Sequence, residues 1–357
     1  RQGVPPDNFP EMRADAHNDD MAIVKLNESG WRYCYFADKN GKIFPKSERA
    51  RDILELLLKE GEKNGVEFVN KAPLTEISYE DGIFTVKTRE KSYKAERVLL
   101  ATGGKSYPTL GTSGDGYSFA EKLGHTIVKP KPALTPVFIK EFNFGSCAGL
   151  SFKDAEVTIL RGAGRKKAAS RRGDIGITHQ GISGPGIIDF SREFEEQDIL
   201  SINFVNKSCE KVETDFMEYI AKHGKNSIKT FYREIGMADS FIKAAAEKMG
   251  IDENKRCSEV SKAERKNIVN SLCAMEFEID KIGGYETAMV TAGGVECSEV
   301  SAATMESKLV KNLYFAGELL DIDGDTGGYN IQAAFSTAFA SVKKIMADIS
   351  EKREKTI

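Results

Sequence analysis

The spacing of apolar residues predicts the elements of the first third of the chain. A helix is expected from an N-cap at Ser47 to about Asn64, because leucine and isoleucine residues between them recur at helical spacing. Gly65 ends this helix, and the apolar run Val66–Val69 predicts a strand. Three short segments with a turn at Asp81–Gly82 then predict an antiparallel set. These segments are Leu74–Ile77, Ile83–Lys87 and Ser92–Lys94.

Longer-range patterning predicts a frame with an insertion. The apolar run Arg97–Ala101 indicates a buried strand, and a helix follows over Gly114–Leu123. Near the other end, a strand at Leu313–Ala316 precedes a glycine-rich loop and a helix over Asn330–Ser350. These elements predict an α/β frame that is built from both ends of the chain.

The segment between the two halves of the frame changes its period twice. Residues 127–206 alternate in short strands, residues 207–275 carry apolar residues at helical spacing, and residues 277–297 return to strands. We therefore expect a β region and a small helical unit inserted into the frame. The predicted helices are Glu213–His223, Ser227–Gly236, Phe241–Met249 and Lys262–Ala274.

Composition excludes several classes of protein. The 357 residues are 40% hydrophobic and 29% charged, as in a globular protein of two or three domains. The formal net charge is -3, so we expect no nucleic-acid partner. No apolar run reaches the roughly 20 residues that span a bilayer, so no membrane partner is expected. Six scattered cysteines without a CxxC pair predict no metal site, no disulfide framework and a cytoplasmic location.

A glycine-containing turn follows the first buried strand of the frame. Val98–Ala101 runs directly into Thr102, Gly103 and Gly104. Open α/β sheets bind ligands at the carboxyl ends of their strands, and glycines let the backbone approach a bulky group closely. A tight turn that needs positive φ is an equally good explanation of these residues on their own.

The second chemical feature lies between the last strand and the last helix. Gly317 and Glu318 end the strand, where a carboxylate can accept hydrogen bonds from sugar or ribityl hydroxyls. Gly327 and Gly328 then lead into the helix, whose first N–H groups suit an electron-rich ring edge. The acidic run from Asp321 also has two simpler explanations, an acidic turn or a calcium loop. The calcium loop is disfavoured because it lacks the glycine and glutamate at its later positions.

Two further motifs lie in the inserted region. His179 lies in a turn rich in glycine and serine, where it is either a proton donor or acceptor beside a cofactor or a structural residue. The basic run from Arg161 to Arg172 is either a contact for phosphate or nucleic acid, or a solvated hairpin loop. No aromatic residue interleaves with it, so the hairpin loop is the favoured interpretation.

Five stretches taken together resemble a known family. They are similar, in the same order and over most of the chain, to a bacterial family of FAD-dependent oxidoreductases. Members of that family are aminoacetone-oxidase-like or bile-acid-reductase-like flavoproteins, also described as NAD(P)/FAD-dependent oxidoreductases. The stretches are Gly41–Pro45, Ala101–His125, Thr178–Pro185, Thr291–Val295 and Met305–Ala340.

The resemblance implies an α/β fold of the two-dinucleotide-binding type. Its FAD-binding domain is discontinuous and covers residues 41–126 and 298–350. A β domain for substrate covers residues 127–206 and 277–297, and residues 207–276 form a helical insertion. Residues 1–30 are polar and punctuated by prolines, and we expect the segment 1–40 to be poorly defined.

The resemblance also implies the site residues. Thr102, Gly103 and Gly104 would lie near the dinucleotide, and Leu74 would present its backbone to the adenine. The segment from Gly317 onward would surround the ribityl chain and the pyrimidine edge of the flavin, with NAD(P)H as the candidate electron donor. The residues of this second group are Gly317, Glu318, Asp321, Gly327, Gly328, Tyr329, Asn330 and Ile331.

One part of the family pattern is missing. The family begins with a strand, a GxGxxG turn and a helix, and the glycines at positions 111, 114 and 116 have the wrong spacing and follow no strand. We therefore expect an incomplete fold without its first βαβ unit, from a chain truncated at its N-terminus.

The expected function is hydride transfer between a small organic substrate and flavin N5, with His179 as the candidate catalytic residue. The alternative is a flavoprotein fragment that acts as a binding module without turnover. The sequence leaves the substrate and the oligomeric state open. It also leaves open whether a nicotinamide reduces the flavin or oxygen reoxidises it.

Overall fold

The computed structural model describes residues 35–37, 43–45 and 47–354. The predicted poorly defined segment 1–40 therefore lies almost wholly outside the described residues. The chain divides into two compact units. Unit 1 comprises residues 1–131 and 290–357, and unit 2 comprises residues 132–289.

Unit 1 begins with the strands β1 (Tyr35–Ala37) and β2 (Ile43–Pro45), which pair antiparallel, and the helix α1 (Ala50–Lys63). The prediction of Ser47 as the N-cap of this helix is wrong. Arg49 occupies the N-cap position without a side-chain cap, and the Ser47 hydroxyl accepts the Arg49 N–H at 3.4 Å instead. Glu48 has a φ of 54°, so the chain turns between the serine and the helix.

The prediction of a strand at Val66–Val69 is also wrong, because this segment is irregular. It folds back on the end of α1, where the Val66 N–H donates to the carbonyl of Gly61 at 2.9 Å. The Phe68 ring lies so close to Gly61 that a Cβ there would overlap it. The segment packs against its own helix and makes no strand pairing within the described part of the chain.

The predicted antiparallel set is confirmed. The strands β3 (Leu74–Glu80), β4 (Ile83–Thr88) and β5 (Ser92–Ala95) form a three-stranded sheet in that order. Asp81 and Gly82 both have positive φ, at 50° and 81°, as tight hairpin turns require. The sheet directs buried side chains such as Phe84 into the core of unit 1.

The next elements lead out of unit 1. The strand β6 (Val98–Leu100) and the helix α2 (Asp115–Lys122) confirm their predictions, and the strand β7 (Ile127–Ala133) reaches the boundary between the units.

Unit 2 contains a closed six-stranded barrel. The strands are β8 (Val137–Ile139), β9 (Ser151–Arg161), β10 (Lys166–Ile177), β11 (Gly181–Ser183), β12 (Ile199–Asn203) and β13 (Met275–Ile282). They are ordered β10-β11-β8-β13-β12-β9 around the barrel, and the β9–β10 hairpin is much longer than the short strands that the sequence predicts. A short helix, α3 (Pro185–Ile188), follows β11.

Four helices connect β12 to β13, which confirms the four predicted helical segments. Ser208, Ser227 and Ser261 cap three of them through their side chains. Side chains of the helices and of the barrel share one hydrophobic core. The helices are α4 (Cys209–His223), α5 (Ile228–Glu234), α6 (Asp239–Met249) and α7 (Lys262–Cys273).

The chain returns to unit 1 through β14 (Val290–Val295), which pairs with β7. The strand β15 (Leu313–Phe315) then pairs in parallel with β6, with Leu313 opposite Val98. The helix α8 (Tyr329–Glu354) ends the described chain. The parallel pair brings the residues after β6 and those after β15 to one edge of the sheet.

A buried histidine joins three segments of unit 1. His125 Nδ1 lies 3.1 Å from the Glu299 carboxylate, and its Nε2 lies 2.8 Å from the Ser307 hydroxyl. The imidazole edge packs against the Phe315 ring, with centroids 4.8 Å apart. Burial lowers the pKa of His125, and the neighbouring Glu299 opposes this shift only in part. The folded protein therefore favours the neutral imidazole.

We expect the free energy of unfolding to decrease as the pH falls below 6.5, the ordinary pKa of histidine. The reason is that His125 binds a proton more readily in the unfolded chain than in the folded one, with a slope of at most about 1.4 kcal/mol per pH unit. Urea unfolding of wild type and His125→Gln at about pH 7.5 and about pH 5.5 measures this difference. Equal pH dependence in the two proteins would contradict the assignment.

Candidate functional site

The Thr102–Gly104 turn lies at the carboxyl end of β6. Gly103 has a φ of 73°, in the left-handed region that favours glycine. Gly104 is buried and tightly surrounded, since a Cβ there would overlap the Glu318 carboxylate and the Thr291 hydroxyl. Its missing side chain is what lets this turn lie directly against the end of β15.

Thr291 holds the chain that follows this turn. Its hydroxyl oxygen accepts the backbone N–H groups of Lys105 at 2.7 Å and Ser106 at 3.1 Å. Its own backbone N–H donates to Glu318 Oε1 at 2.9 Å. The sequence missed Thr291 as a site residue, although the resemblance included the stretch Thr291–Val295. Its role depends on partners that are distant in the sequence. Lys105 and Ser106 lie more than 180 positions before it, and Glu318 lies 27 positions after it.

Gly317 and Glu318 follow β15 directly. The Gly317 N–H donates to the hydroxyl of Thr337 on α8 at 2.9 Å, and its φ is 70°. Burial raises the pKa of the Glu318 carboxyl, and the hydrogen bonds with Thr291 oppose the shift. Because Glu318 Oε1 accepts the Thr291 N–H, one of its two carboxylate oxygens is already bound to the protein's own backbone.

Asp321 continues this loop, and its N–H donates to the carbonyl of Val295 at 3.0 Å. Burial and the nearby carboxylates of Glu296 and Asp323 raise the pKa of Asp321. Within the residues that the structure describes, no group of three or more histidine, cysteine or acidic side chains is placed to hold a metal ion.

The two glycines before α8 leave its first turn open. Gly327 and Gly328 have φ angles of 121° and 97°, and a Cβ on Gly328 would meet no atom within 4 Å. The helical hydrogen bonds begin with the Gln332 N–H, which donates to the Gly328 carbonyl. Helix geometry therefore leaves the preceding N–H groups without an intrahelical acceptor.

Three predicted residues open α8. The side chains of Tyr329 and Ile331 are 55% and 66% exposed, so they are accessible to a ligand. The Asn330 side chain is engaged, because its Oδ1 accepts the Gly324 N–H at 2.8 Å and its Nδ2 donates to the Gly324 carbonyl at 3.0 Å. Asn330 thus fixes the loop, and its backbone is the part that remains for a ligand.

Leu74 lies in a different part of unit 1. It lines an apolar cavity of about 380 Å³ together with Val69, Tyr93 and Leu99, beside the strand that leads to Thr102. Its contact with an adenine stays a prediction.

His179 belongs to unit 2, whereas the other predicted site residues belong to unit 1. It is exposed in the turn between β10 and β11, where the Thr178 hydroxyl donates to the carbonyl of Gly181 at 3.0 Å. Its catalytic role stays a prediction, with a structural turn as the alternative.

The basic run forms the β9–β10 hairpin, and its arginines extend into both strands. Acidic side chains pair with them at short distances, and these pairs satisfy much of the positive charge. The pairs are Arg161–Asp198 at 2.7 Å, Arg165–Glu276 at 2.7 Å and Arg172–Asp154 at 3.0 Å.

Comparison with known proteins decides the family. The model of the HI0933-like protein Rossmann domain matches residues 15–344. The chain belongs to this family. Among the helices that the structure describes, none is both long and apolar enough to cross a membrane.

Curated relatives extend this finding. The chain is 30% identical over 308 residues to a 3-dehydro-bile acid delta(4,6)-reductase of Clostridium scindens, covering 84% of this chain and 74% of that protein. It is 30% identical over 317 residues to a ribosomal RNA dihydrouridine synthase of Haemophilus influenzae, covering 87% and 76%. A protein of the same name from Escherichia coli is 28% identical over 303 residues, covering 84% and 73%.

The family and the reductase relative confirm the resemblance to bile-acid-reductase-like flavoproteins and the α/β fold class. They also support the general prediction of an enzyme of the flavin oxidoreductase type.

We expect Gly104→Ala to destabilise unit 1 by about 1–3 kcal/mol, because the added methyl group must displace Glu318 or Thr291. Thermal unfolding measures the effect. Gly164→Ala is the matched control, since its methyl group meets only the Lys166 side chain at 3.9 Å. Similar melting temperatures for the two variants would show that Gly104 is not closely packed.

Proposed function

We propose that this protein is an FAD-dependent oxidoreductase that transfers a hydride between an organic substrate and flavin N5, with NAD(P)H as the electron donor. The observation that carries the proposal is the glycine pair before α8. Gly327 and Gly328 both have positive φ, and a Cβ on Gly328 would meet no atom within 4 Å. Helix geometry leaves the first N–H groups of α8 without an intrahelical acceptor. When bound, FAD supplies reversible hydride transfer at its N5.

The first turn of α8 would bind the pyrimidine edge of the flavin through the N–H groups of Tyr329, Asn330 and Ile331. These donors and the positive end of the helix stabilise negative charge on the ring edge, which lowers the cost of reduction. Gly327 and Gly328 carry no side chain that would hold the ring away from these donors.

The remaining contacts would follow the rest of the dinucleotide. Gly317, Glu318 and Asp321 would face the ribityl chain, where a carboxylate accepts hydrogen bonds from hydroxyl groups. Thr102, Gly103 and Gly104 would lie near the diphosphate, and Leu74 near the adenine. In support, Gly103 carries open space beside it, with only a Thr112 methyl group within 4 Å of a Cβ there.

The substrate class follows from the names of the relatives. A 3-dehydro bile acid with delta(4,6) unsaturation and a uridine ring share one chemical group, a carbon–carbon double bond conjugated to a carbonyl. We propose that the present chain reduces such a bond in a small molecule. The net reaction adds a hydride to the β-carbon and a proton to the α-carbon, and oxidises NAD(P)H to NAD(P)⁺. His179 is the candidate for the proton donor.

A uridine in ribosomal RNA is the second candidate substrate, because two relatives carry that activity in their names. We favour the small molecule, because RNA binding requires cationic side chains that can contact phosphates. The arginines Arg161, Arg165 and Arg172 of the β9–β10 hairpin already pair with carboxylates of the protein. We also propose that the protein acts in the cytoplasm, where NAD(P)H is available.

The visible absorption of the purified full-length protein tests the cofactor. We expect the bands of oxidised flavin, and we expect Gly328→Ala to lose most of them because its methyl group would point into the space for the ring. Gly124→Ala is the matched control, since its φ of 95° and open surroundings impose the same backbone cost. Colourless wild-type protein, or equal flavin content in both variants, would refute this site.

Reduction of a defined substrate tests the chemistry. With NADPH or NADH, we expect a 3-oxo-4,6-diene bile acid to be reduced, while its saturated 3-oxo analogue serves as the unreactive control. Unmodified ribosomal RNA, analysed for dihydrouridine by mass spectrometry, is the parallel arm. If product forms only in the RNA arm, the proposal of a small-molecule substrate is wrong and a uridine in ribosomal RNA takes its place. Bound flavin with no product in either arm would favour the binding module without turnover.

A further inference from the structure

We infer that Thr291 is the positioning residue that holds the two cofactor-facing segments of unit 1 in register, an inference that rests on the proposed flavin site. The two segments are the Thr102–Gly104 turn after β6 and the Glu318 carboxylate after β15. Thr291 lies on β14, a third segment. It bonds to Lys105 and Ser106, the two residues that directly follow the turn, and to Glu318.

The Thr291 hydroxyl has no spare hydrogen-bonding capacity. A hydroxyl donates one hydrogen bond and accepts two. Its oxygen accepts the N–H groups of Lys105 and Ser106, so its proton is directed to the Ser106 hydroxyl, 3.1 Å away. Thr291 is 0% exposed, and no water can replace a lost partner without opening the core. Removal of the hydroxyl therefore leaves two backbone donors without this acceptor.

The backbone of the same residue fixes the carboxylate. The Thr291 N–H donates to Glu318 Oε1, and Gly104 is packed between the two side chains. A displacement of Thr291 thus moves the turn and the carboxylate together. A ligand that contacts both segments depends on the distance between them. We therefore expect a substitution of Thr291 to weaken FAD binding more than a substitution elsewhere that destabilises the fold equally.

Ser307 provides a matched control in the same unit. Its hydroxyl oxygen accepts the N–H groups of Leu309 at 3.0 Å and Val310 at 2.8 Å, and it bonds with His125 at 2.8 Å. It is 7% exposed and holds a loop that contains no proposed cofactor contact. Removal of this hydroxyl imposes a similar loss of buried hydrogen bonds.

The experiment compares Thr291→Val, Thr291→Ser and Ser307→Ala in the full-length protein. Melting temperatures of the flavin-free forms report folding, and titration of FAD with fluorescence detection reports its Kd. We expect Thr291→Val and Ser307→Ala to melt at similarly lowered temperatures. Only Thr291→Val should weaken FAD binding, by about tenfold or more, and Thr291→Ser should restore most of the affinity.

The outcomes separate the two proposals. If wild type binds FAD and Thr291→Val binds it as well as Ser307→Ala does, the positioning role is overturned and the flavin site stands. If wild type binds no FAD, the proposed function and this inference both fall. Should Thr291→Val not fold, Ser106→Ala decides. It removes the partner of the Thr291 proton, so we expect FAD binding to weaken about threefold relative to Ser307→Ala, with a melting temperature no lower than that of Ser307→Ala. Unchanged affinity in Ser106→Ala would overturn the inference.

Discussion

The organisation of unit 1 depends on a close approach that only glycine permits. At Gly104 the backbone after β6 lies against the Thr291 hydroxyl and the Glu318 carboxylate, in space that a Cβ would occupy. This contact brings together segments from the first and last parts of the chain. The parallel pairing of β6 with β15 supplies the alignment, and the buried Thr291 supplies the hydrogen bonds.

Unit 2 is organised around a hydrophobic core. Its barrel and its four helices share one apolar core, and serine caps begin three of the helices. Arginines of the β9–β10 hairpin pair with acidic side chains, namely Asp198, which is buried, and Glu276 on β13. Unit 2 thus combines apolar burial with side-chain hydrogen bonds between distant segments, such as Thr135–Thr287 at 3.1 Å and Tyr232–Ser271 at 2.5 Å.

The periodic spacing of apolar residues predicted those helices and strands that pack against elements close to them in the sequence. The β3–β5 sheet and the four helices of unit 2 follow directly from apolar spacing and turn residues. The errors have tertiary causes. Val66–Val69 reads as a strand, yet it folds back on α1, and Ser47 lies beyond a turn at Glu48. Thr291 was missed as a site residue, and the engaged state of the Asn330 side chain was not foreseen, because both depend on contacts that no local pattern records.

The helix α8 reaches back to the loop that precedes it at two points. Thr337 accepts the Gly317 N–H at one end of the loop, and Asn330 binds both backbone groups of Gly324 near the other. The helix therefore helps to shape the loop, together with the hydrogen bond from the Asp321 N–H to the carbonyl of Val295. Amide hydrogens of the loop should consequently exchange with solvent together with those of the first helical turns, as one cooperative opening unit. A substitution that destabilises the first turns of α8 should therefore also loosen the loop that the cofactor is proposed to contact.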